Sequence, residues 1–197
     1  MPPRSDGSFE KNDWEQSPGR VDTRRVYTGR VISLDVDTVQ FPNGTTGELE
    51  MIRHSGASAV VPFLDDPATP DPQILLIRQY RYAAEGYLYE IPAGRLDRGE
   101  APEDCARREL REETGYECKN VTRLTTIYTT PGFTDERIHL FMASGLKSGE
   151  ASLEADEILD VHSMRLSRIL TMIESGELQD GKSIVALLLA ARAVPTQ

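Results

Sequence analysis

Glu109, Glu112 and Glu113 stand three and four residues apart in a stretch bounded by Pro102 and Gly115. On a helix, residues at i, i+3 and i+4 share one side, so the three carboxylates crowd a single face. Like charges placed so close repel one another and disfavour their own ionised forms. A hard divalent cation such as Mg2+ or Mn2+, which takes carboxylate, carbonyl and water oxygens, would turn that repulsion into a ligand set. Arg108 stands four residues before Glu112, a spacing at which it can neutralise and orient one carboxylate. Ala106 and Leu110 form the opposite, core-facing stripe, with Cys105 beside them. Taken singly, Arg108, Arg111 and Glu112 read as an ordinary solvated helix face; the spacing is what points to chemistry.

The elements that must position these residues fit in 197 residues, enough for one large domain or a core domain with an appendage. Thirty-two acids against 22 bases give a formal charge of −10, which disfavours non-specific nucleic-acid binding because the phosphate backbone would be repelled. Two cysteines, Cys105 and Cys118, form no CxxC pair, and three histidines are too few for a rich zinc cluster. No basic N-terminus leads into an apolar run, and Ile184 to Ala191 is far too short for a membrane span, so a cytoplasmic protein with no membrane partner is expected. Residues 1–21 read as a flexible tail containing the apolar anchors Phe9 and Trp14. Residues 22–54 read as a small antiparallel β-unit turning at Pro42-Asn43-Gly44, and residues 55–197 as the main domain. Within the main domain, strands are expected at 57–64, 74–80, 87–91, 121–128, 138–144 and 158–164, and helices at 102–114, 166–175 and 182–194. Lys147 to Asp156 reads as an acidic loop. Many strands in mixed order with three helices argue for an α+β fold, a sheet covered by helices.

Gly94, Glu100, Arg108, Glu109, Leu110, Glu112, Glu113 and Gly115 follow the spacing G-x5-E-x7-R-E-U-x-E-E-x-G-U, where U is a bulky aliphatic residue; Tyr116 replaces the last of these. The segment resembles the Nudix box. That resemblance implies an α/β/α sandwich, a mixed sheet between helices, and hydrolysis of a nucleoside diphosphate linked to another group. It also implies that Glu109 and Glu113 hold Mg2+ (with Mn2+ as a substitute), that Glu112 is a further ligand, and that Gly94, Glu100, Arg108 and Gly115 are structural.

The flanks Gln79-Tyr80-Arg81, Glu90-Ile91-Pro92-Ala93-Gly94 and Thr130-Pro131-Gly132-Phe133 resemble the ADP-ribose pyrophosphatase branch, whose relatives also cleave GDP-mannose and other nucleoside diphosphate sugars. This closer resemblance implies a metal contact from the Ala93 carbonyl and a glutamate of the acidic loop, Glu157 or Glu154, that orients the attacking water. It also implies a homodimer that exchanges its N-terminal sheets. Arg81 suits a pyrophosphate, because a guanidinium grips its oxygens bidentately; the alternative is a rim salt bridge. Glu90 is expected to accept hydrogen bonds from a ribose or base, or else to pair with a nearby arginine. Arg53 and Tyr27 are further substrate-contact candidates, and Gly132 and Phe133 would wall the terminal sugar or form a plain turn. A binding module without turnover is the rival of another class, and the intact set Glu109, Glu112 and Glu113 argues against it.

Overall fold

The computed structural model describes residues 19–149, 151–152 and 158–192. The chain divides into two compact units, one of residues 1–54 with 130–135, the other of residues 55–129 with 136–197.

In the first unit, β1 (Gly19–Thr28), β2 (Ser33–Gln40) and β3 (Thr46–Arg53) form an antiparallel sheet in that order. Gly44, at φ 82°, takes the left-handed conformation that closes the β2–β3 turn, and the Asn43 side chain accepts from the Thr45 amide at 3.1 Å. β1 begins at Gly19, inside the segment expected to be tail, because Gly19 and Arg20 pair with Gln40 and Val39 and so give their backbone groups partners. The sheet buries Asp35 and Asp37 rather than apolar side chains on one face of β2. Arg25 and Arg53 pair with Asp35, Arg53 pairs also with Asp37, and the Thr23 hydroxyl donates to Asp37 at 2.8 Å. Those partners are what make the burial of two carboxylates tolerable. Residues 130–135 join the unit through the Ile52 amide, which donates to the Phe133 carbonyl at 2.8 Å.

The second unit holds two sheets. One is mixed, in the order β7 (Ala93–Arg95), β4 (Ala57–Pro62), β9 (Arg137–Ser148), β8 (Tyr116–Tyr128), with β4 and β9 parallel and the other pairs antiparallel. The other is antiparallel, with β5 (Gln73–Arg81) between β10 (Leu159–Arg165) and β6 (Gly86–Glu90). β4 shows why helices are needed on both sides, since a strand with all six residues buried must be covered twice. Ala57, Ala59 and Val61 point into the larger core with Leu166, Ile169 and Met172 of α2 (Leu166–Ser175) and Ala186, Leu187 and Ala190 of α3 (Gly181–Ala191). Val60, on the other face, meets Ala106 and Leu110 of α1 (Pro102–Thr114). The expected mixed sheet flanked by helices is therefore present, with a small antiparallel N-terminal sheet.

α1 begins and ends where its punctuation places it, and α2 closes at Gly176 as expected. Pro102 opens α1, and Gly115, at φ 74°, closes it by donating to the Arg111 carbonyl at 2.8 Å. β8 and β9 are longer than expected. Their ladder runs from the Tyr116–Ser148 pair to the Tyr128–Arg137 pair, so cross-strand hydrogen bonds carry the strands on through a stretch where Tyr116, Cys118 and Leu146, packed on the core below α1, stand among polar residues. β7, only three residues long, was not expected at all. No helix among the described residues is long and apolar enough to cross a membrane.

Leu110 is fully buried between α1 and the sheet. Leu110→Ala should destabilise the protein by about 2–5 kcal/mol, read as a lower urea midpoint at unchanged slope.

Candidate active site

α1 carries its glutamates on the side that borders β7. Glu109 and Glu113 are 7% and 2% exposed, while Glu112 is half-buried. Arg108 binds this acidic face together. Its Nη1 donates to Glu109 at 2.6 Å and to Glu112 at 2.9 Å; its Nε and Nη2 donate to Glu100 at 2.9 and 3.0 Å; and Nη2 also reaches the Arg95 carbonyl at 3.0 Å. One guanidinium thus ties the loop from Arg95 to Glu100 onto the helix. Glu100 also accepts from the Asp97 amide at 3.0 Å. The Arg108 hydrogen bonds, outweighing the opposing effect of burial and helped by that amide, lower the Glu100 carboxyl to about 2.

The backbone of β7 lies directly against these carboxylates. A Cβ at position 94 would collide with the Glu109 carboxylate, so only glycine permits the approach. The Ala93 amide donates to Glu113 at 3.0 Å. Buried Cys105, beside the Gly94 and Arg95 carbonyls, has its thiol pushed up to about 12 by burial and by the charges of Glu100 and Glu109. It stays protonated and is no nucleophile.

Among the described residues, no three His, Cys, Asp or Glu side chains converge as a metal-holding group. The donor chemistry nevertheless fits a hard divalent cation. Two deeply buried carboxylates, a third beside them and closely packed backbone offer only oxygens, on a helix face that needs positive charge.

A second polar cluster lies on β5, β6 and the start of α3. Arg81 donates from Nε and Nη2 to the two oxygens of Glu90 at 2.7 and 2.8 Å. Glu90 is 1% exposed and receives a further bond from Lys182. Burial pushes the Glu90 carboxyl up, but Arg81 and Lys182 together overcome it and hold it below the usual range. The hydrogen bonds to Glu90 raise Arg81 in turn, against the opposing effect of burial, with smaller contributions from the charges of Glu113 and Asp180. Lys182 and Asp180 were missed by the sequence reading. Asp180, three residues before Ser183 and ahead of an apolar run, signals a helix start, but nothing local links Lys182 to Glu90, 92 residues away.

The remaining expected site residues are placed as follows. Gly115 caps α1. Arg53 is engaged with Asp35, Asp37 and Asp135, all within the N-terminal unit. Tyr27, Gly132 and Phe133 belong to that unit as well, with Tyr27 and Phe133 exposed. Glu154 and Glu157 lie outside the described residues, as do Phe9 and Trp14. His139 accepts or donates one bond with Thr126, and His162 packs edge-on against Tyr89, so neither joins the cluster.

A family model described as the NUDIX domain matches residues 54–187, which include α1, the β7 approach and the Arg81–Glu90 pair. The chain belongs to the Nudix family. It is 41% identical over 169 residues to a methanol dehydrogenase activator of Bacillus methanolicus, spanning 85% of this chain and 89% of that one. To an ADP-ribose pyrophosphatase of Bacillus subtilis it is 40% identical over 165 residues, 83% of this chain and 86% of that one. To a GDP-mannose pyrophosphatase of Salmonella paratyphi B it is 41% identical over 123 residues, 58% of this chain and 64% of that one. The Nudix chain described here is accordingly a pyrophosphatase of nucleoside-diphosphate-linked compounds.

Two outcomes follow from this geometry. Gly94→Ala should displace the Glu109 carboxylate and cost about tenfold or more in pyrophosphatase kcat/KM, with circular dichroism showing the fold retained. In EDTA, the stabilisation that Glu100 gains from Arg108 should be complete above a pH of about 4.5 and vanish as pH falls through about 2, because its folded-state value is depressed. Denaturation of wild type and Glu100→Gln as a function of pH checks this, the two converging at the acid end.

Proposed function

We propose that this Nudix enzyme hydrolyses ADP-ribose to AMP and ribose 5-phosphate. The observation that carries the proposal is the buried Glu109–Glu113 pair, kept in place by Arg108 and by the glycine at position 94. The choice of ADP-ribose is supported by the Bacillus subtilis relative, which is matched over far more of this chain than the GDP-mannose pyrophosphatase.

Glu109, Glu113 and the Ala93 carbonyl would hold Mg2+ or Mn2+, with Glu112 as a further contact, and the ion would supply charge neutralisation to the diphosphate and Lewis acidity at phosphorus. Arg81 binds a non-bridging diphosphate oxygen and stabilises the negative charge that grows there during attack. Glu157 or Glu154 of the acidic loop takes a proton from the attacking water. One P–O bond forms to that water as the bridging P–O bond breaks, and the bridging oxygen leaves with the second phosphate. Arg108 touches no substrate in this scheme; it holds Glu112 and Glu109 in register.

β1 is an edge strand exposed along its whole length, with Val21, Val26 and Tyr27 exposed among its charged residues, and this open edge supports assembly as a homodimer.

GDP-mannose hydrolysis is the second reading, favoured by the Salmonella relative. Incubation with ADP-ribose, GDP-mannose and UDP-glucose, each with Mg2+, Mn2+ or EDTA, separates the two by products. Metal-dependent release of AMP and ribose 5-phosphate should be fastest; faster release of GMP and mannose 1-phosphate would replace the substrate and keep the chemistry. Glu113→Gln should retain the fold and lose about a hundredfold or more in kcat, as expected for several kcal/mol of lost charge stabilisation. Normal turnover by that variant would sink the assignment of Glu113.

A further inference from the structure

Lys182 is the third member of the Arg81–Glu90 pair. The buried Glu90 carboxylate has both oxygens engaged: Oε1 accepts from Arg81 Nε at 2.7 Å, and Oε2 accepts from Arg81 Nη2 at 2.8 Å and from Lys182 Nζ. Lys182 also donates to Asp180 Oδ2 at 3.0 Å, and its side chain is 13% exposed, so it has little surface of its own to offer a ligand. Asp180 caps α3 by accepting from the Ser183 amide at 3.0 Å and from the Ser183 hydroxyl, and that hydroxyl accepts from the Ile91 amide at 2.8 Å. The start of α3 is thereby fixed to the chain just after β6, where Glu90 ends the strand.

The charges decide what Lys182 does. Arg81 and Lys182 balance Glu90 and Asp180. Without Lys182, Arg81 would be the one cation among the described residues bonded to this cluster, and Arg81, Glu90 and Asp180 together would carry one net negative charge beside the site of an anionic substrate. Arg81 has five N–H donors, of which Glu90 takes two; its side chain is 40% exposed, and no other hydrogen bond holds it among the described residues. The side of the guanidinium turned away from Glu90 is therefore available, provided that its charge is not already spent.

We propose that Lys182 is a positioning residue for diphosphate binding. By neutralising Glu90 and Asp180 it fixes the carboxylate that orients Arg81 and leaves the Arg81 charge for the diphosphate. This inference rests on the pyrophosphatase function proposed above, and its test keeps the two apart.

The Kd for ADP-ribose is measured by calorimetry without added metal, and kcat and KM with Mg2+, for wild type, K182M, K182Q, K182R, E90Q and the E90Q/K182M double variant. Thermal midpoints are recorded for each. K182M and K182Q should raise both Kd and KM about tenfold, the size of one charge-assisted interaction, with kcat little changed. K182R should restore most of the affinity. In the E90Q background, K182M should cost clearly less than it does in the wild type, because only Asp180 is then left for Lys182 to neutralise. K182Q removes the charge but keeps a polar, hydrogen-bonding side chain one bond shorter, so it answers the question even if K182M does not fold. A K182Q protein that binds ADP-ribose as wild type does, or variants in which only the thermal midpoint and kcat fall, would overturn the inference and leave the enzyme's function standing. A wild type that hydrolyses no nucleoside diphosphate sugar would remove the proposed function and the inference with it.

Discussion

Arg108 lies among three carboxylates that would otherwise drive one another apart. Two like charges about 4 Å apart in a partly screened setting repel by about 4 kcal/mol, more than α1 could absorb from helix propensity. The guanidinium offsets that repulsion by donating to Glu100, Glu109 and Glu112 at once, and it spends a further bond on the Arg95 carbonyl. The consequence is geometric as well as energetic. The loop before α1 is drawn onto the helix, which sets where β7 runs, and β7 is where Gly94 lets Glu109 lie against backbone. A lysine at position 108 would keep the charge and lose the fork, since a single ammonium cannot serve three carboxylates and a carbonyl in fixed directions.

The same constraint recurs at Glu90 and, in the N-terminal unit, at Asp35 and Asp37. Each is a carboxylate almost without solvent, and each is met by more than one donor. Burying an ion is tolerable only when it is paired and hydrogen-bonded. At Asp35 and Asp37 the result is a small sheet organised by ion pairs. At Glu90 the result is an arginine held at one edge and open at the other. At α1 it is a set of carboxylates kept close together, which a folded protein has little reason to maintain unless a cation or a reacting group uses them. Pyrophosphate hydrolysis supplies that reason, since its substrate brings negative charge and needs positive charge brought to it.

What could be read from sequence was whatever local spacing encodes. Pro102 and Gly115 mark the ends of α1, and the intervals among Glu109, Glu112 and Glu113 place them on one face; the structure agrees on each point. Arg108 with Glu112, four residues apart, was legible for the same reason. β7 was not, because three residues inside a motif carry no period, and its strand character comes from pairing with β4. Nor were the ends of β8 and β9, where Tyr116, Cys118 and Leu146 are too widely set among polar residues to mark a strand and the pairing between strands extends them. Lys182 escaped because its partner is supplied by the fold. Glu90 was read as either a ligand contact or an arginine's partner, and the structure engages both its oxygens with Arg81. Arg53 was a candidate substrate contact; its guanidinium is engaged with three aspartates, one of them Asp135, which no local signal ties to β3.

The claim at the centre is that the α1 carboxylates hold a divalent cation. Mn2+ binding followed by electron paramagnetic resonance tests it without any substrate, comparing wild type with the Glu109→Gln, Glu113→Gln double variant at matched folding. Wild type should take up Mn2+ and release it to EDTA, and the double variant should leave the ion free in solution. Equal binding by both proteins, or none by the wild type, would contradict it.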